Sequence, residues 1–224
     1  MTLPSTKTDD VTVWDYLERR WDTVLELAIE HLLLVLGSVL IATIIGVGLG
    51  LLVHRHRAAS TVLVTVTNTA FTVPSLAYFS VFLVWFGLGL QPSVWTLVIY
   101  ALLPIVRNTI TGLAQVDQAI VRAATGMGMG RGQALLRIEL PLALPVIMSG
   151  VRIGAVLTVG IAAVAAYVGG PGLGSEIFGG LGAIGSARGV PQAIVGTLAI
   201  VVVTVIVDLM MAASHRVLTP KGLR

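Results

Sequence analysis

Arg152 and Asp208 are charged residues inside otherwise apolar runs, residues 140–168 and 191–213. A charge at membrane depth is costly unless it is paired or borders water. The two are therefore expected to form an ion pair between neighbouring helices, as a structural or gating element more than a ligand for cargo. A second group is suited to holding a partner rather than to making or breaking bonds. Arg122-Ala-Ala-Thr-Gly-Met-Gly128, followed by Ile138-Glu-Leu140-Pro141, forms a charged, glycine-punctuated insert between long apolar segments. Residues for catalysis are missing. With no cysteine there is neither a disulfide nor thiol chemistry. The four histidines (His31, His54, His56 and His215) are scattered, so no metal site is expected. No Gly-x4-Gly-Lys-Ser/Thr phosphate loop occurs, so if energy from ATP is used another chain supplies it, with no cofactor expected on this one.

These residues must be positioned by helices in lipid. Of the 224 residues, 56% are hydrophobic and 11% charged, and mean hydropathy is +0.95. Soluble domains run nearer a quarter charged, so the apolar excess needs the bilayer as its solvent. The net charge of +3 gives no reason to expect nucleic acid. The N-terminus carries Asp9, Asp10, Asp15, Glu18 and Asp22 where a signal peptide would be basic.

An all-α integral membrane fold with about five transmembrane helices is expected. Residues 1–23 form a polar, extracytoplasmic segment with a short interfacial helix. Residues 24–213 form the membrane domain, and 214–224 a basic cytoplasmic tail. The spans are read at 27–53, 59–88, 94–110, 140–168 and 191–213. Pro74 should break the second near Thr72-Val73-Pro74. The insert covers about 111–140. Glu26, Glu30 and His31, at the outer end of span one, are expected to be solvated. Lysine and arginine concentrate in the loops on one side, including Arg55, Arg57, Arg107, Arg122, Arg131 and Arg137. That side is cytoplasmic by the positive-inside rule, with the N-terminus outside.

Within the insert, Ala123 and Ala124 favour helix, and Gly128 and Gly130 permit a sharp turn. Pro141 can open span four, where its missing N–H does no harm. The expected product is a helix–turn–helix ledge on the cytoplasmic face, able to seat in a groove on a partner. An ordinary re-entry loop is the alternative. Gly46-x3-Gly50 and Gly150-x3-Gly154 allow close helix approach, within the subunit first and at a dimer seam second. The segment from Gly169 to Gly174 reads as an outer turn leading into a short helix around residues 175–178. Tyr78, Tyr100 and Tyr167 are candidates for cation–π contact with an amine in transit, or they belong to the core or the lipid belt.

The spacing Ala123-Ala124, Gly128, Ile138-x-Leu140-Pro141 resembles the EAA signature of permease subunits of binding-protein-dependent ABC importers. Arg122 stands where that family has glutamate. Thr72-Val-Pro-Ser-Leu76, Leu103-Pro-Ile-Val-Arg-Asn-Thr109, Glu139-Leu-Pro-Leu-Ala-Leu-Pro145, Gly172-Leu-Gly174 and Leu218-Thr-Pro-Lys-Gly-Leu223 are similar to osmoprotectant permeases in particular. The resemblance implies a type I importer permease whose insert is a cytoplasmic coupling helix. Arg122, Ala123, Ala124, Gly128, Gly130, Ile138, Leu140 and Pro141 would dock on an ATP-binding cassette ATPase. It also implies a second permease, identical or paralogous, an extracellular substrate-binding protein, residence in the plasma membrane, and cargo such as glycine betaine, carnitine or choline. An importer for another small solute such as an amino acid, an ion-coupled secondary transporter and a membrane scaffold remain as rivals.

Overall fold

A computed structural model describes residues 11–218, and helices dominate it. The first helix, α1 (Val13–Val53), starts at a reciprocal cap: the Thr12 side chain accepts from Asp15 N–H at 3.1 Å, and Asp15 accepts from Thr12 N–H at 3.1 Å. It then runs 41 residues without interruption. The expected short interfacial helix is not separate from span one. Residues 13–32 contain no proline or glycine, so nothing divides the amphipathic stretch from the apolar one.

The second span breaks where Pro74 predicts. Helix α2 (Arg57–Thr72) and helix α3 (Ser75–Phe86) meet at 93°. Proline lacks an N–H, so carbonyls in the preceding turn lose their helical donors. Two tyrosines replace them. Tyr78 Oη donates to Ala70 O at 2.8 Å, and Tyr100 Oη donates to Val73 O. Irregular backbone in a membrane span needs its polar groups satisfied by such partners or by water.

Helix α4 (Leu90–Ala114) is the centre of the bundle, packed on α1 and on α7 (Leu140–Val164). Glycines permit both approaches. A Cβ on Gly46 would come within 2.8 Å of Ile105, and one on Gly50 within 2.5 Å of Thr109. On the other side, a Cβ on Gly150 would lie 2.6 Å from Pro104 O, and one on Gly154 3.3 Å from Ala101 O. Both small-residue spacings therefore serve packing inside the subunit. Phe79, Leu97, Val98, Ile105, Val159 and Leu173 fill the core between these helices.

Beyond α4 come α5 (Gln118–Gly126) and the short α6 (Arg131–Ala134), which passes through a wide π turn, Leu135–Glu139, directly into α7. Span four is thus one continuous rod from Arg131 to Val168, closing in a 3-10 turn, with Pro141 in the first turn of α7 as expected but with no break before it. Leu140 N–H reaches back five residues to Leu135 O, and this wider turn makes room for the proline ring. Residues 174–182 form α8 (Gly174–Gly182), the short helix expected after the glycine-rich turn. The bundle closes with α9 (Gly189–Leu218). Four helical rods have the length and apolarity to cross a bilayer, and the bent α2–α3 pair counted as one broken span makes five.

His31 departs from expectation. It is fully buried, with Nε2 3.1 Å from Val159 O and its ring against Gly172. The glycine-rich turn folds back onto α1 and covers it, a long-range contact that local polarity does not reveal. Residues 214–218 of the expected tail continue α9 instead, while residues 1–10 of the expected N-terminal segment, residues 219–224 and most of the Leu218–Leu223 match lie outside the described residues.

Candidate functional site at the insert end of the bundle

The insert is a helical hairpin at one end of the bundle. Asp117 caps α5 by accepting from Ala119 N–H at 2.7 Å. The helix ends at Gly126 with Met127 as its C-cap, and Gly128 then adopts φ +88°. Only glycine takes this conformation without strain. Gly130 does not share that duty. Its φ is −66°, and it caps α6 with extended backbone, so the turn depends on Gly128 alone.

One face of α5 looks inward and the other outward. Ala124 is buried, whereas Ile120, Arg122, Ala123 and Met127 are exposed, with Met127 at 80%. Ile120, Ala123 and Met127 fall at i, i+3 and i+7, which aligns them on one face. This apolar, small-residue stripe is flanked by a cation at Arg122. Leu135, Leu140 and Val121 pack under the hairpin against Leu113, Val116, Ala143 and Ile147. Ile138 is half-buried, as is Pro141.

An ion pair that the sequence reading did not anticipate lies behind the hairpin. Glu139 is 4% exposed. Its Oε1 accepts from Arg55 Nη2 at 2.8 Å, and its Oε2 lies 3.6 Å from His54 Nε2. Arg55 Nη2 also reaches Arg131 O at 3.4 Å. Thus the turn after α1 touches both ends of the segment from α6 to the start of α7. A sequence signal existed: Glu139 is flanked by Ile138 and Leu140, and a buried carboxylate requires a cation. Nothing in the sequence named Arg55 as that cation. At the opposite end of the bundle, Tyr16 Oη donates to buried Glu176 at 2.6 Å, joining α1 to α8, with Arg20 at 3.6 Å. This contact was missed for the same reason.

Arg152 on α7 and Asp208 on α9 meet as a two-point pair, Nε to Oδ1 at 2.6 Å and Nη2 to Oδ2 at 2.7 Å. Their side chains are 45% and 37% exposed in the isolated chain. They border a cavity of about 700 Å3 that also meets Ser149, Ile153 and His215. A charge pair that faced hydrocarbon would be costly.

The three tyrosines do not converge. Tyr78 and Tyr100 stand edge to face with centroids 6.0 Å apart, beside Phe71 and Phe82 at the α2–α3 break. Tyr167 instead packs on Phe178 at 4.3 Å, near α8. Among the described residues, no cluster of His, Asp or Glu has the arrangement of a metal site.

Comparison with known proteins places this architecture. The chain is 38% identical over 205 residues to the Bacillus subtilis glycine betaine/carnitine/choline transport system permease protein OpuCD, covering 92% of this chain and 88% of that protein. It is 37% identical to the Salmonella typhimurium osmoprotectant import permease protein OsmW, covering 88% and 93%. Among solved structures, a chain of the MetNI methionine ABC transporter superposes with a TM-score of 0.74 at 21% identity, covering 91% of this chain and 99% of that one. It shares the fold. Residues 33–219 match the family model described as binding-protein-dependent transport system inner membrane component, and the chain belongs to that family of membrane transport subunits.

Proposed function

We propose that this chain is the permease subunit of an ATP-driven importer for a small compatible solute of the glycine betaine, carnitine or choline class. It is a transport component and not itself an enzyme. The observation that carries the reading is the exposed α5 stripe on a hairpin outside an apolar bundle, in a chain more than one third identical to osmoprotectant permeases. The hairpin seats in a groove of a partner ATPase, which binds ATP and magnesium, and closure of the ATPase pair shifts the spans as rigid bodies between two states.

In this reading residues 1–23 lie outside the cell. Residues 24–213 form the membrane domain, with its insert at about 111–140, and 214–224 lie in the cytoplasm. The excess of arginines near the insert supports that orientation. Two permeases, identical or paralogous, enclose the path, and an extracellular binding protein delivers the solute. The exposed Arg152–Asp208 pair supports a water-lined or permease-covered α7–α9 face and serves as a gate element. Arg122, in place of the family's glutamate, is matched by an acid on the ATPase or by a second permease that keeps the glutamate. Tyr78 and Tyr100 offer ring faces near the path, while their hydroxyls hold the break.

The test is uptake by cells that express the complete transporter and no other route for these solutes. Labelled glycine betaine, carnitine or choline should accumulate, and ATP depletion should abolish the signal. Uptake of methionine alone would reassign the cargo. Uptake that survives ATP depletion but collapses with an uncoupler would overturn the mechanism.

A further inference from the structure

The Glu139–Arg55 pair has a geometry that packing alone does not require. Glu139 closes the π turn at the root of the insert, and such turns interrupt α-helices mostly where function needs an irregularity. Its partner is 84 residues away, one position past the C-cap of α1. The Arg55 guanidinium also reaches the Arg131 carbonyl and so holds both ends of the second arm of the insert. His54 orients the arginine. Its Nδ1 lies 2.7 Å from Leu51 O, a carbonyl that can only accept, so Nδ1 carries the proton. Nε2 is then free to accept from Arg55 Nε–H at 3.2 Å.

The two arms of the insert are held differently. Between α5 and the pair lies a cavity of about 390 Å3, walled by Gln118, Val121 and Thr125 on one side and by His54, Arg55 and Glu139 on the other. The first arm has space in which to shift. The second arm cannot leave its place without separating buried Glu139 from Arg55, whose side chain is 40% exposed, and leaving the carboxylate unpaired, which is opposed.

We propose that Glu139 is a coupling residue: its ion pair with Arg55 ties the end of α1 to the second arm of the insert, so that α1 moves whenever the insert is displaced. The inference rests on the docking role given to the insert above. Without the tie, a partner could still bind α5 and hydrolyse ATP, but the displacement would be absorbed in the cavity instead of reaching α1.

The experiment uses the complete transporter in proteoliposomes, with glycine betaine as the solute. Glu139→Gln should keep ATP hydrolysis stimulated by the loaded binding protein, while solute moved per ATP falls about tenfold, within the range for residues that modulate coupling. Arg55→Lys keeps the charge but loses the fork, and should lie between the two. The exchange Arg55→Glu with Glu139→Arg should restore solute per ATP to within roughly threefold of the parent. An unchanged ratio in Glu139→Gln overturns the proposal. So does an exchanged double variant that assembles normally yet stays uncoupled. The chain has no native cysteine, so Met127→Cys separates this failure from failure of the docking role. A cross-link to the ATPase that persists beside an unchanged ratio removes the tie alone, whereas absence of the cross-link in the otherwise unmodified chain removes the docking role and the tie together.

Discussion

The hydroxyl of Tyr100 on α4 donates to the carbonyl of Val73, the residue before Pro74, and so closes a backbone break in the second span. Tyr100 is nearly buried, and Tyr100→Phe leaves that carbonyl without a donor. An unsatisfied acceptor at this part-buried site costs about 1 kcal/mol, the low end of the buried range. The purified complex should unfold at a lower temperature, with the α2–α3 region more open to hydrogen exchange. An unchanged midpoint and exchange pattern would show that the hydroxyl is dispensable at the break.

Gly150 and Gly37 form a matched pair of glycines in spans. A Cβ at Gly150 meets the Pro104 carbonyl and Asn108 at 2.6 Å, while nothing lies within 4 Å of one at Gly37. Gly150→Ala must push α7 from α4, and overpacking of this kind costs about 1–3 kcal/mol. Gly37→Ala should be neutral or mildly stabilising, because alanine is the better helix former. Thermal midpoints of the two purified variants check this, and equal shifts would refute the close-approach argument.

Removing one member of the Arg152–Asp208 pair leaves the other charge alone at membrane depth. Asp208→Asn and Arg152→Gln should each lower the amount of assembled transporter in membranes or its uptake rate. The exchange Arg152→Asp with Asp208→Arg should recover most of the loss. Quantitative immunoblots of membrane fractions, read beside solute uptake, are the measurement. Single variants indistinguishable from the parent in both readouts would argue against the pair having a role.

The exposed stripe of α5 yields a prediction about assembly. Ala123→Trp places a large ring on the outward face, where the neighbours are Ile120 and Met127. It should abolish co-purification of the ATPase without changing the stability of the permease itself. Arg122→Glu should weaken transport if the partner surface carries a matching acid. A clear gain in coupled transport would instead show that Arg122 is uncompensated.

Features encoded locally were legible in the sequence. Proline at position 74 signals a break because its missing N–H deprives the preceding turn of a backbone donor, although Pro104 and Pro145 stay inside helices. Gly128 announces a turn because its φ of +88° excludes most other residues. Both small-residue spacings indicated close helix contact but not which helix, and α4 turned out to receive both. The continuity of α1 was obscured by polarity. Asp22, Glu26 and Glu30 look like the end of a span, yet charge alone does not stop a helix. The burial of His31 and the Glu139–Arg55 and Tyr16–Glu176 contacts were hidden for another reason. Each joins residues far apart in the chain, and no periodicity encodes which distant group supplies the partner.

The uninterrupted length of α1 has a mechanical consequence. At 1.5 Å per residue its 41 residues extend about 60 Å, twice the hydrocarbon thickness of a bilayer. One stiff beam therefore carries Tyr16 near its first turn and is followed immediately by the His54–Arg55 turn at its other end. Pivoting by about 5° around its middle would swing each tip by roughly 3 Å, a hydrogen-bond length. In a straight rod of this length, a tilt at one end would be felt at the other without a relay of side chains between them.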